Sequence, residues 1–246
     1  MGGYKGGEIA SKLALEAFQE HFKVSSDISK SLQTSLEQAN SAIKEYKEKN
    51  LEVSNMGTTL IALYITEDSF QWISVGDSPL YIIRDSKIKR INANHSVAGL
   101  LELQVKAKEI TEEEADTNTN KHLLTSVVNG EDISMVDISK KILFKSGDIL
   151  ILASDGIETL NEKELLKIVL NREDIQGVSG DIIKAIELKN KTNQDNSTFI
   201  CIKKDNINTS PTKKRSKIIE NIIIFVAVIA LGMFGWIAYV LIKIFS

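Results

Sequence analysis

Near its start the chain places apolar residues at three-to-four-residue spacing twice over: Ile9, Leu13, Ala17 and Phe18, then Ile28, Leu32, Leu36, Ala39 and Ile43. Positions so spaced fall on one face of a 3.6-residue helix, which predicts two consecutive amphipathic helices. From Thr59 the pattern shortens into apolar runs bounded by turn residues. Strands are predicted at Thr59 to Ile65, Phe70 to Val75, Leu80 to Arg84 and Lys87 to Ile91, divided by Glu67-Asp68, Gly76-Asp77-Ser78 and Asp85-Ser86, so an antiparallel meander is expected. Thr111 with Glu114, and Asn161 with Glu164 ahead of Leu165, Leu166 and Val169, have the spacing of capping boxes that open helices. Met135 to Phe144, Ile149 to Ala153 and Ser197 to Lys203 complete the predicted strands. A block of strands with helices before, between and after it indicates an α+β layered domain rather than an alternating parallel sheet.

A different pattern closes the chain. Ile222 to Ile242 contains no charged residue, and about 20 such residues are what a helix needs to cross a bilayer. A transmembrane helix is therefore expected within 218–243, preceded by a domain at 1–204 and a polar, then basic, linker at 205–217. Lys213, Lys214, Arg215 and Lys217 precede the apolar run and only Lys243 follows it, so the positive-inside bias predicts a single-pass membrane protein with its domain in the cytoplasm. The opening Met1-Gly2-Gly3-Tyr4-Lys5 lacks the apolar stretch of a signal peptide.

The 246 residues, 43% hydrophobic and 26% charged, suffice for one substantial core plus an appendage. A net charge of −3 gives no basis for a nucleic-acid partner. The lone cysteine, Cys201, has no partner for an internal disulfide, and its apolar run Phe199-Ile200-Cys201-Ile202 marks a buried strand thiol.

Three aspartates stand at predicted strand ends beside small or turn-forming neighbours: Asp77 in Val75-Gly76-Asp77-Ser78, Asp155 in Ala153-Ser154-Asp155-Gly156, and Asp195 in Gln194-Asp195-Asn196-Ser197. Aspartate in a turn often caps its own backbone, which suffices for each taken singly. Taken together, carboxylates without a Cys or His cluster suit a hard cation such as magnesium or manganese. His21, His95 and His122 lack zinc-hydrolase spacing, and His95 reads as a hydrogen-bonded turn residue. Gly2 to Gly7 lacks the Gly-Lys-Ser/Thr ending of a nucleotide loop. Thr58 and Ser78 read as strand-end hydroxyls bonded to nearby backbone.

Six short motifs in order carry a family resemblance. They are Gly2-Gly3-Tyr4-Lys5-Gly6-Gly7, Met56-Gly57-Thr58-Thr59, Val75-Gly76-Asp77-Ser78, Asn94-His95-Ser96, Ser154-Asp155-Gly156 and Asp195-Asn196-Ser197. The set resembles bacterial metal-dependent protein serine/threonine phosphatases of the 2C type, with Pro79 where the family has Arg after its Gly-Asp-Ser. The resemblance implies a four-layer α/β/β/α sandwich of two antiparallel sheets flanked by helices. It makes Asp155 and Asp195 ligands of a two-metal Mn2+ or Mg2+ centre, gives Asp77 and Asp155 a third, weaker ion, and has Asn196 orient Asp195. Two such ions acidify a shared water for attack on phosphorus, so no phosphoenzyme is needed. The implied partners are phosphorylated proteins, substrates of a cognate serine/threonine kinase. The family also carries an Asp-Gly just before the place of Met1 and, further upstream, an Arg for the substrate phosphate and an Asn-Glu-Asp segment. The expectation is a natural chain that opens earlier, with Met1 an internal methionine. Without those residues the alternative is a catalytically dead phosphatase-like membrane protein acting as a binding module.

Overall fold

In a computed structural model, residues 5–172, 174–189, 197–204, 221–228 and 238–245 are described. The two helical periodicities become α1 (Lys5–His21) and α2 (Ile28–Lys49). Asp27 starts α2 by accepting the Lys30 backbone N–H at 3.0 Å. Its many serines and threonines weaken the helix by up to about 0.5 kcal/mol each. The apolar stripe offsets this, since Leu32, Leu36, Ala39 and Ile43 are buried and a fully buried leucine or isoleucine contributes about 2 kcal/mol.

That stripe packs, with Ala10, Ala14 and Phe18 of α1 and Phe22 just after it, on one face of a sheet containing β1 (Thr59–Thr66) and β2 (Ser69–Val75). Strand alternation sorts β1 cleanly: Leu60, Ala62 and Tyr64 meet the helices, while Ile61, Leu63 and Ile65 meet the second sheet. The second sheet has the order β4-β3-β7-β8, formed by β3 (Leu80–Arg84), β4 (Lys87–Arg90), β7 (Ile149–Ala153) and β8 (Phe199–Lys203). Its inner residues Leu80, Ile82, Leu150 and Leu152 close the inter-sheet core with Phe70, Trp72 and Phe144. Its outer residues Tyr81, Ile83, Ile149 and Ile151 are covered by α5 (Glu162–Leu170) and α6 (Ile175–Lys189). The four-layer α/β/β/α sandwich of two antiparallel sheets is thus present.

Three expectations need correction. The predicted meander is cut in two: β1 pairs with β2 in one sheet, whereas β3 pairs with β4 and β7 in the other. The chain changes sheets at Gly76-Asp77-Ser78 because Val75 and Leu80 belong to different cores. Secondly, the single strand expected over Met135 to Phe144 is two short pieces, β5 (Asp137–Ile138) and β6 (Ile142–Leu143). Between them Ser139 exchanges bonds with Trp72, its N–H donating to the Trp72 carbonyl at 3.0 Å and its Oγ accepting the Trp72 N–H at 2.8 Å, so a side chain takes the place of a ladder carbonyl.

The third correction concerns the C-terminal run. Asn221–Val228 and Ala238–Phe245 are strands, β9 and β10, and among the described residues no helix is long and apolar enough to cross a membrane. β9 runs antiparallel to β1 from Thr59↔Val228 to Thr66↔Asn221, and β10 pairs with β9, giving the order β10-β9-β1-β2-β5 with β6 also on β2. The physical reason is the β1 edge, whose N–H and C=O groups need a partner. A run rich in Ile, Val and Phe has the β propensity to supply one. Two helices were missed in the sequence, α3 (Val97–Lys106) and α6, while α4 (Glu112–Thr117) and α5 begin at the expected capping boxes.

Candidate metal centre

The second sheet brings the Asp77 and Asp155 segments together. Because β3, β7 and β8 are antiparallel, the start of β3, the end of β7 and the start of β8 lie at one end. Two hydrogen bonds close that end: Ala153 N–H donates to the Pro79 carbonyl at 3.0 Å and Ser154 N–H to the Thr198 carbonyl at 2.8 Å. In return the Thr198 N–H donates to Ser154 Oγ at 3.0 Å. Asp77 lies just before β3 and Asp155 just after β7. Asp195 and Asn196 precede β8 but lie outside the described residues.

The Asp77 turn is held from several sides. Gly76 adopts φ +102°, and an added Cβ would run into the Thr59 side chain, so glycine is required. His95 clamps the same residue twice, its N–H donating to the Gly76 carbonyl at 3.0 Å and its Nδ1 accepting the Gly76 N–H at 3.2 Å. Ser78 and Thr59 share a hydroxyl contact of 3.0 Å, and Thr58 donates to the Thr59 carbonyl at 2.8 Å, the structural role read in the sequence. Buried Asn92 accepts from the Leu80 N–H at 2.8 Å and donates to the Ser78 carbonyl at 2.9 Å. Arg90 donates to the Asp77 carbonyl at 2.7 Å and to Glu158 Oε1 at 3.0 Å. Glu158 belongs to the short 3-10 turn Asp155–Thr159.

Asn92, Arg90 and Glu158 were not singled out in the sequence. Glu158 lies only two residues beyond the Ser154-Asp155-Gly156 motif, which is the signal that could have found it. Asn92 and Arg90 had none, because their partners lie in another segment.

Electrostatics follow from this crowding. Burial pushes the Asp77 carboxyl above its ordinary value, against the opposing pull of its own backbone N–H and of Arg90. Glu158 is raised first by loss of solvent, with Arg90 opposing and the charges of Asp77 and Glu102 adding to the rise. His95 is lowered by burial, with Asp137 opposing and Arg90 assisting. A neutral imidazole fits a ring whose Nδ1 accepts a hydrogen bond.

With His95 Nδ1 occupied by Gly76, the donors at this end are carboxylate oxygens, the set preferred by magnesium or manganese. A divalent ion would also favour the ionised form of a carboxyl that burial disfavours. Among the described residues no three acidic, His or Cys side chains are grouped closely enough to hold an ion. Asp77 and Asp155 lie at the same end of the second sheet, and Asp195 lies outside the described residues.

A profile of the family described as "Protein phosphatase 2C" matches residues 1–180. The chain belongs to the protein phosphatase 2C family. By family it is a phosphoprotein phosphatase, a hydrolase. Among its relatives is the serine/threonine phosphatase stp of Listeria monocytogenes, 24% identical over 211 residues that cover 83% of this chain and 82% of that protein. Protein phosphatase PhpP of Streptococcus pneumoniae is 29% identical over 174 residues, 65% of each chain. The fold matches the crystal structure of the Mycobacterium tuberculosis phosphatase PstP/Ppp with a TM-score of 0.73 at 23% identity, covering 84% of this chain and 86% of that one. Stp1 of Staphylococcus aureus matches with a TM-score of 0.71 at 26% identity, over 84% and 81% of the two chains. The PstP catalytic domain, solved in complex with two manganese ions, matches with a TM-score of 0.66 at 23% identity, over 82% of each chain.

Proposed function

We propose that this protein is a metal-dependent serine/threonine phosphatase that hydrolyses phosphoserine and phosphothreonine in proteins phosphorylated by a cognate kinase, and that it works at the cytoplasmic face of the cell membrane. The observation that carries the activity is the convergence of the Asp77, Asp155 and Thr198 segments at one end of the second sheet, in a chain of this family. The two manganese ions of the related PstP structure support manganese as the metal. The family resemblance adds Mg2+ as the alternative, a third ion as an option, and Asp155, Asp195 and, more weakly, Asp77 as the ligands. Bound there, the ions would supply the positive charge that acidifies water and neutralises phosphoryl oxygens.

The chain's own groups do the rest. The Asp77 and Asp155 turns hold carboxylates at fixed strand ends, so ligand geometry costs little reorganisation. Asn196 would orient the Asp195 carboxylate through a hydrogen bond. The net reaction adds water across the P–O bond: a water oxygen joins phosphorus, the serine or threonine oxygen leaves and takes up a proton, and inorganic phosphate departs.

Membrane attachment is supported by the uncharged Ile222 to Ile242 run and the Lys213, Lys214, Arg215 and Lys217 cluster before it.

The test uses full-length protein in detergent with an aryl phosphate and a phosphothreonine peptide. Turnover should require Mn2+ or Mg2+ and stop with chelator. Asp155→Asn should lower kcat by at least about 100-fold, as loss of a ligand charge from a catalytic metal site implies, with a smaller loss for Asp77→Asn. Near-normal turnover by Asp155→Asn would remove that residue from the centre, and inactivity with either ion would leave the binding-module reading.

A further inference from the structure

Arg90 joins the two turns that carry Asp77 and Asp155. It lies on β4, opposite Tyr81 in the β3 register, with its side chain only 15% exposed. Its two terminal nitrogens go to different segments: Nη2 donates to the Asp77 carbonyl at 2.7 Å, and Nη1 to Glu158 Oε1 at 3.0 Å. The first segment is the crossing between sheets. The second is the 3-10 turn that starts at Asp155. Tyr81 adds its hydroxyl to the same Glu158 oxygen at 3.5 Å. Pro79, beside the Asp77 turn, has no side-chain donor with which to brace it.

We infer that Arg90 is a positioning residue of the metal centre, a strut whose planar guanidinium sets the spacing between the Asp77 and Asp155 carboxylates through the Asp77 carbonyl and Glu158. The inference rests on the phosphatase reading for its consequence, though not for its geometry. A fork with fixed directions suits this task better than the flexible ammonium of lysine. Glu158 is 43% exposed at its side chain, so the ion pair as such adds little to global stability. The effect of removing it should therefore be local: looser turns and weaker ion binding without unfolding.

The experiment uses the full chain in detergent and two readouts. In chelator-treated protein, Arg90→Ala should speed amide hydrogen exchange at Asp77-Ser78 and Gly156-Ile157 by about 10-fold or more, with Leu60 to Tyr64 of β1 unchanged, as local opening requires. Manganese titration, followed by the EPR signal of free Mn2+, should show affinity reduced by about 10-fold or more, the scale seen when an outer partner of a ligand is lost. Arg90→Lys should recover part of both effects, and Glu158→Gln should loosen the Asp155 turn while sparing the Asp77 turn. Exchange that rises everywhere alike, or at neither turn, overturns the strut. Should Arg90→Ala fail to fold, Arg90→Lys and Glu158→Gln decide by the same criteria. Turn-specific exchange in a protein that binds no manganese keeps the strut and overturns the phosphatase reading.

Discussion

At Gly76 the backbone donates to His95 Nδ1 while the His95 N–H returns the bond to the Gly76 carbonyl. Protonating Nδ1 turns that acceptor into a donor facing a donor. Burial, the largest cause, holds the imidazole below its ordinary value of 6.5. The sign follows from proton counts: below about pH 6.5 the unfolded chain takes up a proton that the native ring resists, so stability rises with pH in that window. It is fully present above 6.5 and is lost as pH falls toward the native value. Urea midpoints from pH 7.5 to 5.5 should therefore drop, and His95→Asn, which keeps an acceptor near the Nδ1 position without titrating, should flatten that part of the slope. An unchanged slope would place the pH sensitivity elsewhere. Cys201 lies on β8 as its apolar run predicts but is half-buried rather than buried, and loss of solvent pushes its thiol up to about 11.

At the scale of elements, local signals and tertiary support can be separated. Both capping boxes were legible because their bonds lie within four consecutive residues: Asn161 with Glu164 at 3.0 Å each way, and Thr111 with Glu114 at 3.2 and 2.8 Å. Their weight differs with packing. Leu165 and Val169 bury α5 in the outer core, whereas α4 has no buried residue. Asn161→Ala should cost about 1 kcal/mol of global stability in urea unfolding. Thr111→Ala should move the global midpoint much less, because α4 can open locally. Equal effects would contradict this account. Helix α3 was overlooked although Val97, Leu101 and Val105 stand at helical spacing, because apolar Leu100 and Leu103 between them blur the stripe; in the fold those two are exposed and only Gly99 is buried.

At the scale of the whole molecule, β1 is the central element. It carries helices on one face and the second sheet on the other, and it is paired on both edges, by β2 and β9. Ending the chain at Asn208 removes β9, β10 and the whole apolar run. Such a protein should leave the membrane pellet, yet elute from a sizing column as associated species, because the Thr59–Thr66 edge is then a template for another chain. A monomeric truncated protein with unchanged melting temperature would show that β1 needs no partner from the C-terminal run.

The sequence alone determined what depends on neighbours along the chain. The stripes of α1 and α2, the capping boxes, the turn chemistry at Gly76-Asp77-Ser78 and the ordered motifs with Asp77 and Asp155 are all written in short windows. Tertiary structure decided what depends on distant partners. Strand runs of similar composition gave no sign that β2 and β3 part into different sheets, since that choice is made by which core each apolar face can fill. Arg90 and Asn92 acquired meaning only when folding set them against Asp77, Ser78 and Glu158. The Ile222 to Ile242 run shows the limit most directly. Its composition is compatible with both a membrane helix and a β ladder, and its described parts, β9 and β10, are strands because the edge of β1 offers their backbone a partner.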